Sequence, residues 1–375
     1  MPEIIDTETF VIGDSTKTNS LGRALSMALT AAELGRVRVL AFEDGELWAG
    51  ARQFPAEVVP FGRRDLARIE RDVRASASER RTIVWFSKGT DPLPRLARRL
   101  SRIPNTVVVA DFDDDDVSIM EAFRSESLLN RAKANPLRRK APSRLRRSQA
   151  RIARDAGLVT FSSAGLRGVY AERFDLGDAS AVIPHTRVST TRDRPRGPST
   201  DGRLTLGFIG TVRSYKGADT LNALLRADPD VGIVTFAQSW TPPSDVAAQW
   251  VMRPPTTPLS EIYADVDVLV LPMDIRSPAA LYQLPAKLVD AAVFGTAVAA
   301  TPTPPIEEFA AGAFLPVTDW SDPVGVLAAI RTADKEQLGA ALQARFTTLL
   351  SPEATADTLD TAVQKALIRK STHRA

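Results

Sequence analysis

Twice along this chain, short β-branched apolar runs alternate with stretches whose apolar residues recur at helical spacing, and a segment without any period separates the two series. In the first series Thr9 to Ile12, Arg36 to Phe42, Thr82 to Phe86, Thr106 to Ala110 and Leu158 to Phe161 read as strands. Leu21, Leu25, Ala28, Leu29 and Ala32 line one face of the helix after the first strand, and Gly35 is expected to close it. The second series offers Leu204 to Ile209, Val231 to Phe236, Val266 to Leu271 and Thr296 to Ala300. Strands always separated by helices imply parallel sheets covered on both faces. The expected class is α/β, with two similar sheets facing each other and one ligand cleft at the carboxyl ends of their strands. The aperiodic stretch VSTTRDRPRGPSTDGR sets the expected organisation: a domain over 1–188, a linker over 189–203, a second domain over 204–354, and a helix within 355–375 that packs back on the first domain.

Composition removes several function classes. At 375 residues the chain is long enough for two cores, and 44% hydrophobic with 25% charged residues is ordinary for a globular protein. There is no cysteine, which excludes disulfides, a thiol nucleophile and a thiolate metal site, and only two histidines, His185 and His373, are present. The start MPEIIDTETF lacks the basic and apolar regions of a secretory signal, and no apolar run is long enough to span a bilayer, so a cytoplasmic location is expected. The formal charge is +3, but residues 131–154 are densely basic and carry no acid. That segment suits an anionic membrane surface, the inner face of the plasma membrane, with a solvated helix face as the alternative. It has no interleaved aromatics, so nucleic acid is not expected as a partner.

Two segments carry the chemistry. In LTLGFIGTVRSYKG, residues 204–217, an apolar run ends at Gly210, and Arg213 and Lys216 come just before a helix. A glycine turn followed by a helix start presents unpaired N–H groups and a positive dipole end, which suits phosphate. In PMDIRSPAALYQLPAKLVDAAVFGTAVAAT, residues 272–301, Pro285 stands where a helix begins and Gly295 where it ends. Lys287 and Asp290 lie one turn apart on that helix, where Asp290 is placed to accept ribose hydroxyls. An exposed helical ion pair is the alternative.

Together these segments resemble the donor domain of GT-B fold glycosyltransferases, in particular the retaining family 4. The matching residues are Gly210, Lys216 and Gly217 in the first loop, then Pro285, Lys287, Asp290, Gly295 and Val298 in the second. YADVDVLVLPM, GLVTFSS, VIPHTR and VVVADFDDDD extend the likeness over most of the chain. Two positions depart from the family pattern. Thr211 stands where an arginine usually follows the glycine, with Arg213 two positions on, and Tyr282 replaces the first acidic residue of a pair whose second is Asp290.

The resemblance implies transfer of a sugar, with retention, from a nucleotide-sugar donor to a hydroxyl on a glycan, a lipid-linked or a small-molecule acceptor. Lys216 and Arg213 would stabilise the leaving diphosphate, without a metal or other cofactor. Donor contacts are expected from Gly210, Thr211, Gln283, Leu284, Lys287 and Asp290, and base contacts from a turn at 251–255 that includes Arg253. Gly13, Asp14, Ser15, Lys17, Lys88, Asp111 and Asp113 are expected on the acceptor-side rim. The run DFDDDD, residues 111–116, invites a rival reading as a metal site. An acceptor-side role or a solvated turn is preferred, because the phosphate loop lies in the other half of the chain. The alternatives to a transferase are a nucleotide-sugar epimerase of the same fold and an inactive sugar-binding or assembly subunit. His185 is expected to be structural.

Overall fold

Residue 7 already begins a strand buried along its whole length, and the reason is topological: helices cover both faces of the sheet it joins. The computed structural model describes residues 6–43, 45–125, 141–176, 179–189, 203–210, 212, 217–237 and 240–372. The chain divides into two units, one comprising Met1–Thr186, Tyr282–Leu284 and Ser351–Ala375, the other Arg187–Leu281 and Pro285–Leu350. The expected linker, except residues 189 and 203, lies outside the described residues, as do residues 131–140 of the basic segment.

In the N-terminal unit the described strands are β1 (Thr7–Gly13), β2 (Gly35–Phe42), β3 (Val58–Phe61), β4 (Arg81–Ser87), β5 (Thr106–Phe112), β6 (Leu158–Phe161) and β7 (Ser180–Val182). All pair parallel, in the order β3-β2-β1-β4-β5-β6-β7. Side chains alternate between faces, so each strand feeds two cores. Phe10, Ile12, Val84, Phe86, Val108 and Ala110 pack under helices Leu66–Glu79, Leu93–Leu100 and Pro142–Asp155. Val11, Ile83, Trp85, Val107 and Val109 pack under helix Ser20–Ala32 and the last helix, Pro352–Thr372. That last helix adds Leu359 and Val363 to this core, and its Lys370 Nζ donates to the carbonyls of Ile103 and Thr106, both at 2.7 Å.

The C-terminal unit repeats the plan. Its described strands are β8 (Leu204–Gly207), β9 (Val231–Phe236), β10 (Trp250–Arg253), β11 (Val268–Leu271), β12 (Ala297–Ala300) and β13 (Leu315–Pro316), in the order β10-β9-β8-β11-β12-β13. In each sheet the order reverses beside the first strand, between β1 and β4 and between β8 and β11. Ligands of open α/β sheets bind at such reversals, outside the carboxyl ends of the strands.

The described strands depart from the sequence reading mainly at sheet edges. β3, β7, β10 and β13, two to four residues long, were not expected. β3 reads VVPF, with a proline that an edge strand tolerates. The first helix ends at Ala32, and Gly35 opens β2 instead of closing the helix.

Candidate functional site

At the end of β8 the chain leaves the sheet through Phe208, Ile209 and Gly210, the last with φ of 145°. Few residues other than glycine adopt that angle, and a side chain here would also press on Lys287, whose Cε and Nζ lie 3.3 Å from an ideal Cβ. The Lys287 ammonium sits 3.5 Å from the centroid of the Phe208 ring, a cation–π contact that holds it beside the glycine turn. Gly217, at φ of 84°, caps helix Ala218–Ala227, and an added Cβ would run into Pro272. Thr211, Arg213 and Lys216, expected between these two glycines, lie outside the described residues.

Helix Ala286–Phe294 carries the second half of this site. Pro285 is its N-cap and Gly295, in left-handed backbone, its C-cap, both where expected. Tyr263 fastens the helix, donating to the Lys287 carbonyl at 3.2 Å and stacking on Phe294 at 5.0 Å. Asp290 is buried, and Arg187 Nε donates to its Oδ1 at 2.6 Å. The exposed Lys287–Asp290 ion pair held as an alternative is therefore not what forms. Burial pushes the Asp290 carboxyl above its usual range, while Arg187 and then Lys287 oppose that rise.

Gln283, Leu284 and Arg253 are the remaining donor-side expectations. Gln283 and Leu284 group with the N-terminal unit, where Gln283 Nε2 donates to Asp114 Oδ1 at 2.6 Å and Leu284 is buried. The Tyr282 carbonyl accepts from Ser163 Oγ at 3.2 Å. Arg253 ends strand β10, so 251–253 is not part of a turn, and its exposed guanidinium pairs with Asp265 at 2.6 Å.

In the N-terminal unit, the carboxyl ends of β1, β4 and β5 gather the expected rim residues. Gly13 closes β1, and Asp14 accepts from Ser20 Oγ at 2.8 Å and Thr90 Oγ1 at 3.4 Å. Ser15 Oγ accepts from the backbone N–H of Lys17, whose side chain is exposed. Lys88 is buried with left-handed backbone, and its ammonium stands 3.1 Å from Asp113, 3.2 Å from Asp114 and 2.7 Å from Asp116. One ammonium cannot neutralise three carboxylates. Burial first, and then Asp114 and Asp116, push the Asp113 carboxyl up to about 7 against the pull of Lys88.

Asp111 corrects the acceptor-rim expectation. It is buried, bridged by Arg23 through two hydrogen bonds of 2.8 and 2.7 Å, and it also accepts from Thr160 Oγ1 at 2.7 Å. Arg23 in turn donates to the carbonyls of Ile183 and Pro184, at 2.7 and 2.9 Å. Asp111 is thus a fastening for the end of the unit. Asp115 is likewise claimed, by a two-bond pair with Arg173 at 2.7 Å. The Asp run is held by Arg23, Lys88 and Arg173, and among the described residues no group of three acidic or histidine side chains is arranged to hold a metal.

No protein-family model and no curated protein sequence matches this chain. Solved structures do. HepE from Anabaena, solved with UDP and glucose, is similar over 96% of this chain and 99% of its own, with a TM-score of 0.65 at 14% identity. Sucrose-phosphate synthase from Thermosynechococcus elongatus matches 99% of this chain and 100% of its own, with a TM-score of 0.61 at 15% identity. AviGT4, a glycosyltransferase involved in avilamycin A biosynthesis, matches 97% and 98%, with a TM-score of 0.57 at 14% identity. The chain has the GT-B fold. Within that fold, sequence reasoning missed Arg23, Arg173 and Arg187. Arg23 left a signal, a lone charge on the apolar face of SLGRALSMALTAA, which demands a buried partner. Arg187, in VIPHTR, left none.

Proposed function

We propose that this GT-B protein is a glycosyltransferase that moves a sugar from a nucleotide-sugar donor to a hydroxyl acceptor, retaining the anomeric configuration. The observation that carries the proposal is the Gly210 turn with the Lys287 ammonium against it and Asp290 one helical turn away, at the carboxyl end of β8. HepE was solved with UDP-glucose, which makes uridine nucleotides the first donors to try. As the anomeric bond breaks, negative charge grows on the diphosphate. Lys216, Arg213 and Lys287 would stabilise it more in the transition state than in the ground state. The leaving phosphate then helps deprotonate the attacking hydroxyl, so neither a metal nor a separate base is needed. The acceptor is a cell-envelope glycan, a glycolipid or a secondary metabolite. The departures at Thr211 and Tyr282 favour one second reading, an inactive sugar-binding subunit.

Thermal unfolding with a panel of nucleotide sugars tests the donor site. A ligand bound only by the native state raises stability, by about 2.7 kcal/mol at a hundredfold excess over Kd. One nucleotide sugar is expected to raise the unfolding temperature of the wild type, and Lys216→Ala to abolish that rise. A wild type that no member of the panel stabilises would refute the donor site.

The same reading puts the enzyme in the cytoplasm, at the inner face of the plasma membrane. Helix Pro142–Asp155 exposes Arg144, Arg147, Arg151 and Arg154 while its Leu145 and Ile152 are buried. Each such charge near an anionic lipid surface contributes on the order of 1 kcal/mol. Co-sedimentation with phosphatidylglycerol vesicles, absent with phosphatidylcholine and weakened by salt, is the expected result; equal sedimentation with both would contradict it.

A further inference from the structure

Asp290 is where the donor reading puts the nucleoside's ribose, yet a buried carboxylate serves as an acceptor only if something holds it charged and aimed. Lys287, on the same helix, is engaged at the Gly210 turn. The holding group comes from 103 residues earlier in the chain, where Arg187 opens the C-terminal unit. Its Nε meets Asp290 Oδ1 at 2.6 Å, with the two side chains only 14% and 10% exposed. Asp290 Oδ2 accepts no hydrogen bond among the described residues. Two cations thus act on one carboxylate, and among the described residues only its Oδ1 is taken.

We propose that Arg187 is a positioning residue of the nucleotide-sugar site: it fixes Oδ1 of Asp290 so that Oδ2 accepts the vicinal ribose hydroxyls of the donor. This rests on the donor reading above. Charge alone is not the reason for an arginine here. A guanidinium is planar and donates along fixed directions, so it sets the orientation of a carboxylate where an ammonium would let it turn. Without Arg187, the buried Asp290 carboxyl takes up a proton and is free to rotate. That state costs ribose recognition and places no added charge near the phosphates.

Calorimetry on the full chain separates the possibilities. UDP, GDP and ADP are titrated, each beside its dideoxyribose form, which lacks both hydroxyls. The wild type is expected to bind the ribose form of one nucleotide at least tenfold more tightly than its dideoxy form, about the worth of hydrogen bonds to a charged acceptor. Arg187→Met should remove that discrimination while leaving affinity for the dideoxy form within about twofold, the pattern also expected of Asp290→Asn. The double variant should lose no more than either single one. If Arg187→Met does not fold, Arg187→Lys carries the same test, with discrimination reduced and dideoxy affinity kept. Discrimination that survives in the folded Arg187 variants, or that is absent from a wild type binding both forms equally, overturns the positioning role and leaves the donor site standing. No binding of any of these nucleotides to the wild type overturns the donor reading itself, and the role of Arg187 with it.

Discussion

One ammonium among three carboxylates dominates the strand ends of the N-terminal unit, and it has a consequence in pH. The Asp113 carboxyl stands at about 7 in the folded chain, raised first by burial, against an ordinary value of 3.8. The folded state therefore holds a proton that the unfolded state releases. The stabilisation this gives is complete below about pH 4 and is lost as pH rises through about 7. Asp113→Asn removes the titrating group, so the stability of the variant relative to the wild type is expected to grow between about pH 5 and pH 8. Urea unfolding of both proteins across that window checks it, and parallel pH profiles would contradict it. The residue scale is also where the sequence was hardest to read. Lys88 and Asp116 are 28 residues apart and Arg187 and Asp290 are 103 apart, and no local period links such pairs. Asp111 reads as a rim residue if the strand ends at Ala110, but β5 runs on to Phe112 and Arg23 takes the Asp111 carboxylate inside.

Elements were legible to the extent that they are long enough to show a period. Helix Ala286–Phe294 was bounded from sequence by Pro285 and Gly295, whose backbone restrictions act locally. The edge strand β13 has two residues, too few for a pattern to register, and β10, WVMR, lacks the unbroken apolar run of the equally short β11 and β12. The glycine loop after β8 makes the sharpest prediction at this scale. At Gly217 the backbone is left-handed, and a Cβ would lie 2.7 Å from the Pro272 carbonyl oxygen, so Gly217→Ala strains both the turn and its neighbour. Left-handed strain in a non-glycine residue costs about 1–3 kcal/mol. Denaturant unfolding is expected to show a loss of at least that size, together with weaker nucleotide binding. Unchanged stability would mean that the turn is not set as described.

For the whole molecule, the twofold series of strands and helices was enough to expect two parallel sheets, because each βα step is a local signal. The strand order was not readable. β1 is flanked by β2 and β4, and β8 by β9 and β11, as a result of how the helices cross over the sheet and not of any pattern within a strand. That order produces the reversal point beside β8, where the Gly210 turn meets Lys287. The most direct test of the proposed donor site is release of nucleoside diphosphate from a panel of nucleotide sugars, measured with the wild type and with Lys216→Ala. One nucleotide sugar is expected to be turned over by the wild type, without added metal, and not by the variant. Tight binding with no release under any acceptor, or equal release by both proteins, would contradict a glycosyltransferase built on this loop.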